Sequence, residues 1–188
     1  MKNCYAESIQ HSGFEIRVEQ DTDLESPRRE WDNAGTMVCF HRKYDLGDKG
    51  HGFSSPEAFR EFVEEQPDLL VLPLYLLDHS GIAISTGDFG DPWDSGQVGW
   101  IYMSPERIQS EFNGDRDKAE ACLKGEVTTY NQYLTGDVWW YQILDKDGDQ
   151  VDSCGGMYGY DYCVTEAKQA AEASVSQLDL PLMAAVLV

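Results

Sequence analysis

The pattern of apolar and polar positions predicts strands and helices in an irregular order. Residues 14–19 alternate apolar and charged side chains, which is typical of a half-buried strand. Residues 36–40 and 98–103 are short β-prone runs, and residues 69–77 form a longer apolar run. Pro73 within that longer run predicts an edge strand or a bulge, because proline cannot donate to a sheet ladder.

Turn residues predict how some of these strands connect. Residues 81–85 are expected to pair antiparallel with the long apolar run, across a turn at residues 78–81. The segment Asp-Lys-Asp-Gly-Asp at 145–149 is the strongest hairpin signal in the chain. It predicts a hairpin between strands 137–144 and 150–154.

Capping residues and apolar stripes predict four helices. Ser54, followed by proline and glutamate, has the composition of a helix start, and this helix is expected to end at Pro67. Ser104 begins a second helix in the same way. Residues 115–134 and 165–178 have the apolar periodicity of two longer helices, and the polar segment 25–33 is predicted as a loop.

These elements predict an α+β fold, with a mixed, mainly antiparallel sheet and three to four helices packed on it. Hairpins and helices are interspersed without the regular strand–helix alternation of a parallel sheet. The length of 188 residues predicts a single domain over residues 1–188. Apolar residues make up 41% of the chain and aromatic residues 12%, which excludes a disordered acidic tail.

The charge narrows the classes of partner. The net charge is −20, from 34 acidic and 14 basic residues. Residues 1–50 carry −3 of this and residues 51–188 carry −17. Such an excess repels nucleic acids and anionic membranes and attracts basic surfaces. We therefore expect no direct binding to nucleic acid or membrane, and the oligomeric state stays open.

The cysteines and the amino terminus predict a reducing, cytoplasmic location. The five cysteines are an odd number without a Cys-x-x-Cys pair, so we expect free thiols. The first residues contain no apolar signal region, and no apolar run approaches the length of a membrane span.

Metal and cofactor motifs are incomplete. Asp145, Asp147 and Asp149 match the first three ligand positions of an EF-hand loop. The loop glycine then falls at the fourth position where the sixth is needed, and Gly156 occupies the position of the bidentate glutamate. The histidines and cysteines have no zinc-ligand spacing. We predict no metal and no cofactor.

A small hydrolase or metal-dependent enzyme is the alternative class, built on Cys39, His41 and His79. Cys39 with either histidine would form a thiol–imidazole pair, and residues 78–80 contain the residue types of a hydrolytic triad. Adjacent residues rarely converge on one reacting atom, and turn chemistry explains residues 78–81 without catalysis. We predict no catalytic residue.

Two aromatic segments are candidates for binding. Trp93 lies among three aspartates in the Gly-, Asp- and Pro-rich loop 87–96. It would either fold back on the core or stand exposed as an interface anchor. In the strand 137–144, Trp139 and Tyr141 share one face and Trp140 lies on the other, so one large aromatic must be covered by a helix or a partner.

Carboxylates on predicted helix faces and loops have the character of a DNA-like surface, since duplex DNA is a dense array of negative charges. A solubilising or salt-adapted acidic surface is the simpler interpretation. The candidate partner-binding residues are Glu61, Glu64, Glu65, Asp88, Asp91, Trp93, Asp94, Asp115, Asp117 and Glu120.

Three stretches, residues 30–48, 72–104 and 125–154, carry a family resemblance. They include the strings Asp-His-Ser-Gly at 78–81 and Pro-Trp-Asp-Ser-Gly-Gln-Val-Gly at 92–99. The chain resembles a family of acidic proteins encoded by bacteriophages, plasmids and their bacterial hosts. The resemblance carries over no activity, cofactor or catalytic residue. It implies a mobile-element setting, in which small acidic proteins often inhibit host restriction and CRISPR nucleases.

The function expected from the sequence is therefore a non-enzymatic accessory protein of a phage or plasmid. Its acidic, DNA-mimicking surface would block the basic, nucleic-acid-binding surface of a host defence enzyme, as an anti-CRISPR or anti-restriction protein. The enzyme described above is the first alternative. A structural or replication-accessory protein without an inhibitory role is the second.

Overall fold

A computed structural model describes residues 5–178. The strands are β1 (Tyr5–His11), β2 (Phe14–Gln20), β3 (Thr36–Cys39), β4 (Leu70–Asp78), β5 (Ile82–Ser85), β6 (Ser95–Met103), β7 (Val138–Leu144) and β8 (Gln150–Tyr158). The helices are α1 (Pro27–Glu30), α2 (Pro56–Glu64), α3 (Pro105–Phe112), α4 (Arg116–Thr135) and α5 (Tyr160–Leu178).

Internal contacts divide the chain into two compact units. The discontinuous unit comprises Met1–Leu24 and Gly136–Val188, and the inserted unit comprises Glu25–Thr135. The described residues form five helices and eight strands in two antiparallel sheets, which confirms the α+β prediction. The single sheet that we expected is instead two sheets of four strands each. The single domain over residues 1–188 stays a prediction.

The discontinuous unit is a sheet in the order β1-β2-β7-β8, with α5 packed on one face. Small residues on α5, Ala167 and Ala171, lie one turn apart and are fully buried. They let the helix backbone approach the apolar side chains of the central strands. This core contains Phe14, Ile16, Val18, Tyr141, Ile143, Cys163, Ala167 and Ala171.

The aromatic run in β7 divides between the two faces of this sheet as predicted. Tyr141 belongs to the core under α5, and Trp139 packs against that core. Trp140 lies on the opposite face and borders a groove lined by Asp21, Trp140, Ser153, Cys154 and Gly155. A carboxylate oxygen of Asp21 accepts a hydrogen bond from the N–H of Gly156 (3.1 Å), which anchors an irregular stretch of β8.

The two ends of the inserted segment leave the discontinuous unit side by side. The N–H of Asp21 donates to the carbonyl of Val138 (2.8 Å), one step beyond the register of β2 and β7. The side-chain amide of Gln20 donates to the carbonyl of Gly136 (2.5 Å). The whole inserted unit therefore connects β2 to β7, which are neighbouring antiparallel strands of the other sheet.

The inserted unit is a sheet in the order β3-β6-β4-β5 covered on both faces. Helix α4 covers one face with its buried stripe of Ala119, Leu123, Val127 and Tyr130. On the other face, helix α2 contributes to an aromatic cluster in which Phe59 stacks on Trp100 with ring centroids 4.9 Å apart. That cluster contains Phe53, Phe59, Phe62, Trp100 and Tyr102.

Pro73 lies in a part of β4 that pairs with a neighbouring strand on one side only. β4 pairs with β6 along its length, but β5 pairs only with Tyr75–Asp78. Pro73 therefore precedes the paired stretch of β5, and the ladder between β4 and β6 shifts register at the next two residues. The missing N–H of proline is tolerated there.

Several predicted boundaries were wrong. The segment 25–33, expected to be a loop, contains the single-turn helix α1. Strand β1 was not predicted, because Tyr5 and Ile9 are the only large apolar residues in its sequence. The cap of α2 is Ser55 rather than Ser54, since the Ser55 hydroxyl accepts from the N–H of Ala58. α5 begins at Tyr160, directly after Gly159 with its φ of 96°, rather than at residue 165.

Candidate functional site

Residues 30–48 fold around a buried arginine, Arg28, that the sequence did not single out. The side chain of Arg28 is 1% exposed. Its guanidinium donates two hydrogen bonds of 2.7 Å to the carboxylate of Asp48 and one of 2.7 Å to Glu126. A fourth goes to the carbonyl of Gly35 (2.7 Å).

Backbone N–H groups also donate hydrogen bonds to the carboxylates of Asp48 and Glu126. Asp48 accepts from the N–H of Met37 (2.8 Å), and Glu126 accepts from the N–H of Ala34 (2.6 Å). Burial by itself would lower the pKa of Arg28, but the hydrogen bonds and charges of Asp48 and Glu126 outweigh it and raise that pKa. The cluster joins α1, β3 and α4, so Arg28, Asp48 and Glu126 have a structural role.

Within the described part of the chain, the residues of the predicted enzyme alternative form no thiol–imidazole pair. Burial, and then the charge of Asp48, raises the pKa of the Cys39 thiol to about 12, so the thiol is protonated at neutral pH. His41 accepts hydrogen bonds at Nδ1 from the N–H groups of Lys43 (3.3 Å) and Tyr44 (3.2 Å). His79 pairs with Asp94 instead. In the described part of the chain, no hydrogen bond or ion pair joins Cys39 to either histidine.

The acidic hairpin has a local structural explanation. One carboxylate oxygen of Asp145 accepts from the N–H groups of Asp147 (2.8 Å) and Asp149 (2.9 Å), which fixes the turn between β7 and β8. Within residues 5–178, no group of three His, Cys, Asp or Glu side chains converges as a metal site would require. No described helix has both the length and the apolar character to cross a bilayer.

All ten candidate partner-binding residues lie in the inserted unit, in three groups. The first is on the exposed side of α2, the second is around the start of α4, and the third is the loop between β5 and β6. The groups are Glu61, Glu64 and Glu65; Asp115, Asp117 and Glu120; and Asp88, Asp91, Trp93 and Asp94.

The first two groups differ in how much of their charge is neutralised. Near the start of α4, Asp115 pairs with Lys118 (2.9 Å) and Glu120 pairs with Lys124 (2.7 Å). Glu61, Glu64 and Glu65 are exposed and form no salt bridge with a described residue. The side of α2 that carries these three glutamates is therefore the more negative of the two.

The third group presents Trp93 to solvent. Its side chain is 91% exposed, so it is not folded back on the core. The carboxylate of Asp91 accepts from the N–H groups of Trp93 (2.9 Å) and Asp94 (3.0 Å), and these bonds lower the pKa of Asp91. The hydroxyl of Ser95 donates to the carbonyl of Asp91 (2.6 Å). An ordered turn therefore fixes where Trp93 projects.

A groove adjoins Trp93 at the end of the sheet where β3 ends and β6 begins. Its volume is about 220 Å³. The groove and the residues at its rim are here called the Trp93 face. They are Phe40, His41, Lys43, Tyr44, Leu76, Asp78, His79, Trp93, Asp94, Ser95, Gly96, Gln97 and Val98.

Aromatic rings and carboxylates are close neighbours on the Trp93 face. The Tyr44 hydroxyl donates to Asp78 (2.8 Å), and Lys43 lies 3.4 Å from the other oxygen of Asp78. The hydrogen bond from Tyr44 is the main cause that lowers the pKa of Asp78, and the contact with Lys43 lowers it further. Nδ1 of His79 lies 2.6 Å from Asp94, and this hydrogen bond raises the pKa of His79. The face places two carboxylates, which pair with Lys43 and His79, beside exposed aromatic surface.

Comparisons of the chain with protein-family models, curated proteins and solved structures find no match. The family resemblance therefore stays an expectation from the sequence.

Sequence reasoning found the loop and Trp93 but missed the groove. Phe40 and Tyr44 follow β3, whereas Asp78 ends β4, and only the pairing of both strands with β6 brings them to one end of the sheet. The single local signal is the string Asp-His-Ser-Gly at residues 78–81, for which the sequence predicts only a turn.

Proposed function

We propose that this protein is a non-enzymatic binding protein that engages a basic, nucleic-acid-binding protein through its inserted unit. The contact surface would consist of the Trp93 face and the exposed glutamates of α2. In the mobile-element setting that the family resemblance implies, the partner would be a host defence enzyme such as a Cas or restriction nuclease. Binding would keep that enzyme from its DNA.

The observation that carries the proposal is the exposure of Trp93 on an ordered loop. Burying a tryptophan removes roughly 150–250 Å² of mostly apolar surface from water, so such a residue is a large source of binding energy. Tryptophan is among the residues most enriched at the energetic centres of interfaces. Because Asp91 and Ser95 already fix the loop, little conformational freedom would be lost on binding.

The carboxylates give the second part of the proposal, which is the charge of the partner. Glu61, Glu64 and Glu65 are exposed on one helix and form no salt bridge with a described residue, and Asp88 lies in the Trp93 loop. Such a field attracts a basic surface and repels competing nucleic acid, with a strength that decreases as salt rises. Specificity would come from Trp93 and attraction from the carboxylates.

No observation favours the enzyme alternative. A thiol with a pKa of about 12 is almost wholly protonated at neutral pH and is a poor nucleophile. His41 and His79 are engaged with separate partners, Tyr44 and Asp94, rather than with Cys39.

DNA cleavage by purified Cas and restriction nucleases tests the proposal, with the protein added as inhibitor over a range of salt concentrations. We expect inhibition that weakens with salt. Trp93→Ala should weaken it by about 30-fold or more, the loss expected of an interface hot spot. The matched control is Trp31→Ala, because Trp31 is another exposed tryptophan (51%) of the same unit and should change inhibition by less than about twofold.

A charge-matched comparison tests the role of α2. Reversing Glu61, Glu64 and Glu65 to lysine should abolish most of the inhibition at low salt. The same triple reversal at Asp147, Asp149 and Asp152 in the discontinuous unit should have little effect. Equal losses of inhibition in both triple variants would show that the position of the negative charge on the protein does not matter. Full inhibition by the Trp93→Ala variant would contradict the proposed site.

A further inference from the structure

We propose that the groove of the Trp93 face is a receptor for one cationic side chain, lysine or arginine, of a protein partner. This inference rests on the proposed function for its biological meaning, but the groove chemistry can be tested without the partner. It specifies the kind of residue that the partner must project next to Trp93.

The groove combines the two components that hold an organic cation in water. Phe40, His41 and Trp93 supply ring surface, and Asp78 and Asp94 supply carboxylates. A cation over an aromatic face is attracted by the ring quadrupole, and a neighbouring carboxylate adds a charge-assisted hydrogen bond. An anion would compete with these carboxylates for Lys43 and His79, and a neutral side chain would form no charge-assisted hydrogen bond with them.

The chain itself shows this mode of binding at the rim of the groove. Nζ of Lys43 lies 4.5 Å from the centroid of the Tyr44 ring and 3.4 Å from Asp78. An ammonium group is thus held by a ring and a carboxylate of this face. The Lys43 side chain is 64% exposed, so it can swing into solvent and leave Asp78 to an incoming cation.

A second carboxylate has capacity that no described residue uses. Oδ2 of Asp94 contacts His79, whereas Oδ1 accepts no hydrogen bond from a described residue. Liquid water occupies roughly 30 Å³ per molecule, so a groove of about 220 Å³ has room for the end of one long side chain in place of several waters. An arginine or lysine entering beside Trp93 would lie in a groove that both Asp78 and Asp94 line.

Titration with amino-acid amides, followed by nuclear magnetic resonance, tests the groove directly. The probes are Nα-acetyl-lysinamide and Nα-acetyl-argininamide, with Nα-acetyl-norleucinamide as the neutral analogue of the lysine probe. We expect the two cations to shift the indole resonance of Trp93 and the amides of residues 94–98 saturably. The norleucine probe should shift them much less.

Conservative variants identify the groups responsible. Asp78→Asn keeps an acceptor for the Tyr44 hydroxyl but removes the charge, and Trp93→Leu removes the ring. Each should weaken cation binding by about threefold to tenfold. Asp88→Asn and Trp31→Leu are the matched controls, since Asp88 accepts from the N–H of Gly90 outside the groove, and they should bind the cations as the parent does.

The outcomes separate this inference from the proposed function. Equal shifts with norleucinamide, or unchanged cation binding in both Asp78→Asn and Trp93→Leu, overturn the cation receptor. Cation binding without inhibition of any nuclease leaves the receptor standing and removes the proposed partner class. Salt-sensitive inhibition that depends on Trp93, without cation binding, supports the binding protein and rejects the receptor. A dispersed amide spectrum for each variant shows that it has kept the fold.

Discussion

At the scale of single residues, neighbours in the sequence have very different roles. Arg28 is buried and bonded to two carboxylates and a carbonyl, whereas Arg29 is exposed and pairs with Asp45 (2.9 Å). A single sequence offers no signal that distinguishes the two, because the partners of Arg28 lie 20 and 98 residues away. The neighbours Asp78 and His79 likewise contact different groups, Tyr44 and Asp94.

Replacing Arg28 should destabilise the inserted unit strongly. Arg28→Met would leave Asp48 and Glu126 partly buried without their counter-ion, a loss expected to cost about 3–5 kcal/mol. Arg29→Met removes only an exposed pair and should change stability by about 0.5 kcal/mol or less. Urea unfolding of the two variants measures the difference. Similar losses in both would contradict the role assigned to the buried cluster.

His79 should titrate above its ordinary range because of Asp94. The raised folded pKa means that protonation favours the folded state. The stability contributed by this pair is thus fully present below the unfolded pKa of about 6.5 and is lost as pH rises through the folded pKa. Asp94→Asn should lower the pKa of His79 towards the ordinary value, as followed by nuclear magnetic resonance titration. Asp88→Asn should leave it unchanged, and an unchanged titration in Asp94→Asn would show that the 2.6 Å contact does not form in solution.

Thiol labelling should distinguish the cysteines by burial. Cys154 is exposed, whereas burial raises the pKa of Cys39 to about 12 and that of Cys163 to about 11. We expect iodoacetamide to modify Cys154 well before these two, with each site quantified by peptide mass spectrometry. Labelling of Cys39 as fast as that of Cys154 would indicate an accessible thiolate and would favour the enzyme alternative.

At the scale of elements, both edges of the sheet in the inserted unit are protected by side chains from elsewhere. On the β3 edge, the carboxylate of Asp48 accepts from the N–H of Met37 (2.8 Å), and the backbone N–H of Asp48 donates to the carbonyl of Met37 (2.9 Å). On the β5 edge, the side-chain carbonyl of Asn131 in α4 accepts from the N–H of Ile84 (2.8 Å). Occupying these groups removes the templates on which another strand would pair.

Strand β6 contains two glycines that differ in the space around them. A Cβ on Gly99 would lie 1.9 Å from the carbonyl oxygen of Val38 on β3, whereas a Cβ on Gly96 would meet nothing within 4 Å. Gly99→Ala should therefore force β3 and β6 apart and cost about 3 kcal/mol. Gly96→Ala should be tolerated. Thermal unfolding of both variants tests the contrast, and equal transition temperatures would refute it.

Elements with strong local signals were predictable and the others were not. Ser104 opens α3 as expected, and Asp145–Asp149 form the turn between β7 and β8. Strand β1 has a weak pattern because it is an outer strand whose single central apolar side chain, Ile9, faces the core. The start of α5 has no cap signal, because Gly159 leads directly from β8 into the helix.

At the scale of the whole molecule, the sequence predicted the class of fold but not its division. The tight β2–β7 pairing that defines the discontinuous unit spans the entire inserted segment, so no local pattern signals it. The net charge is divided between the two units differently from how it is distributed along the sequence. Each unit carries ten more acidic than basic residues, although the chain before residue 50 is nearly neutral.

The inserted unit should fold as an isolated fragment. Residues 25–135 contain one complete sheet, the helices on both of its faces and every partner of Arg28. We expect the fragment to show a cooperative urea transition by circular dichroism. The same fragment carrying Arg28→Met serves as the destabilised comparison. A fragment without a transition would mean that this unit depends on the rest of the chain.

The adjacency of Asp21 and Val138 has a consequence for synthesis on the ribosome. Strands β1 and β2 emerge first, but β7, which pairs with β2, appears only after the whole inserted unit has been made. Joining them across a flexible loop of roughly 110 residues would cost about 4 kcal/mol in the length-dependent part of the closure entropy. A nascent inserted unit that has already folded holds its two ends together and removes most of that cost. The inserted unit would thus fold first during translation and bring β2 and β7 together.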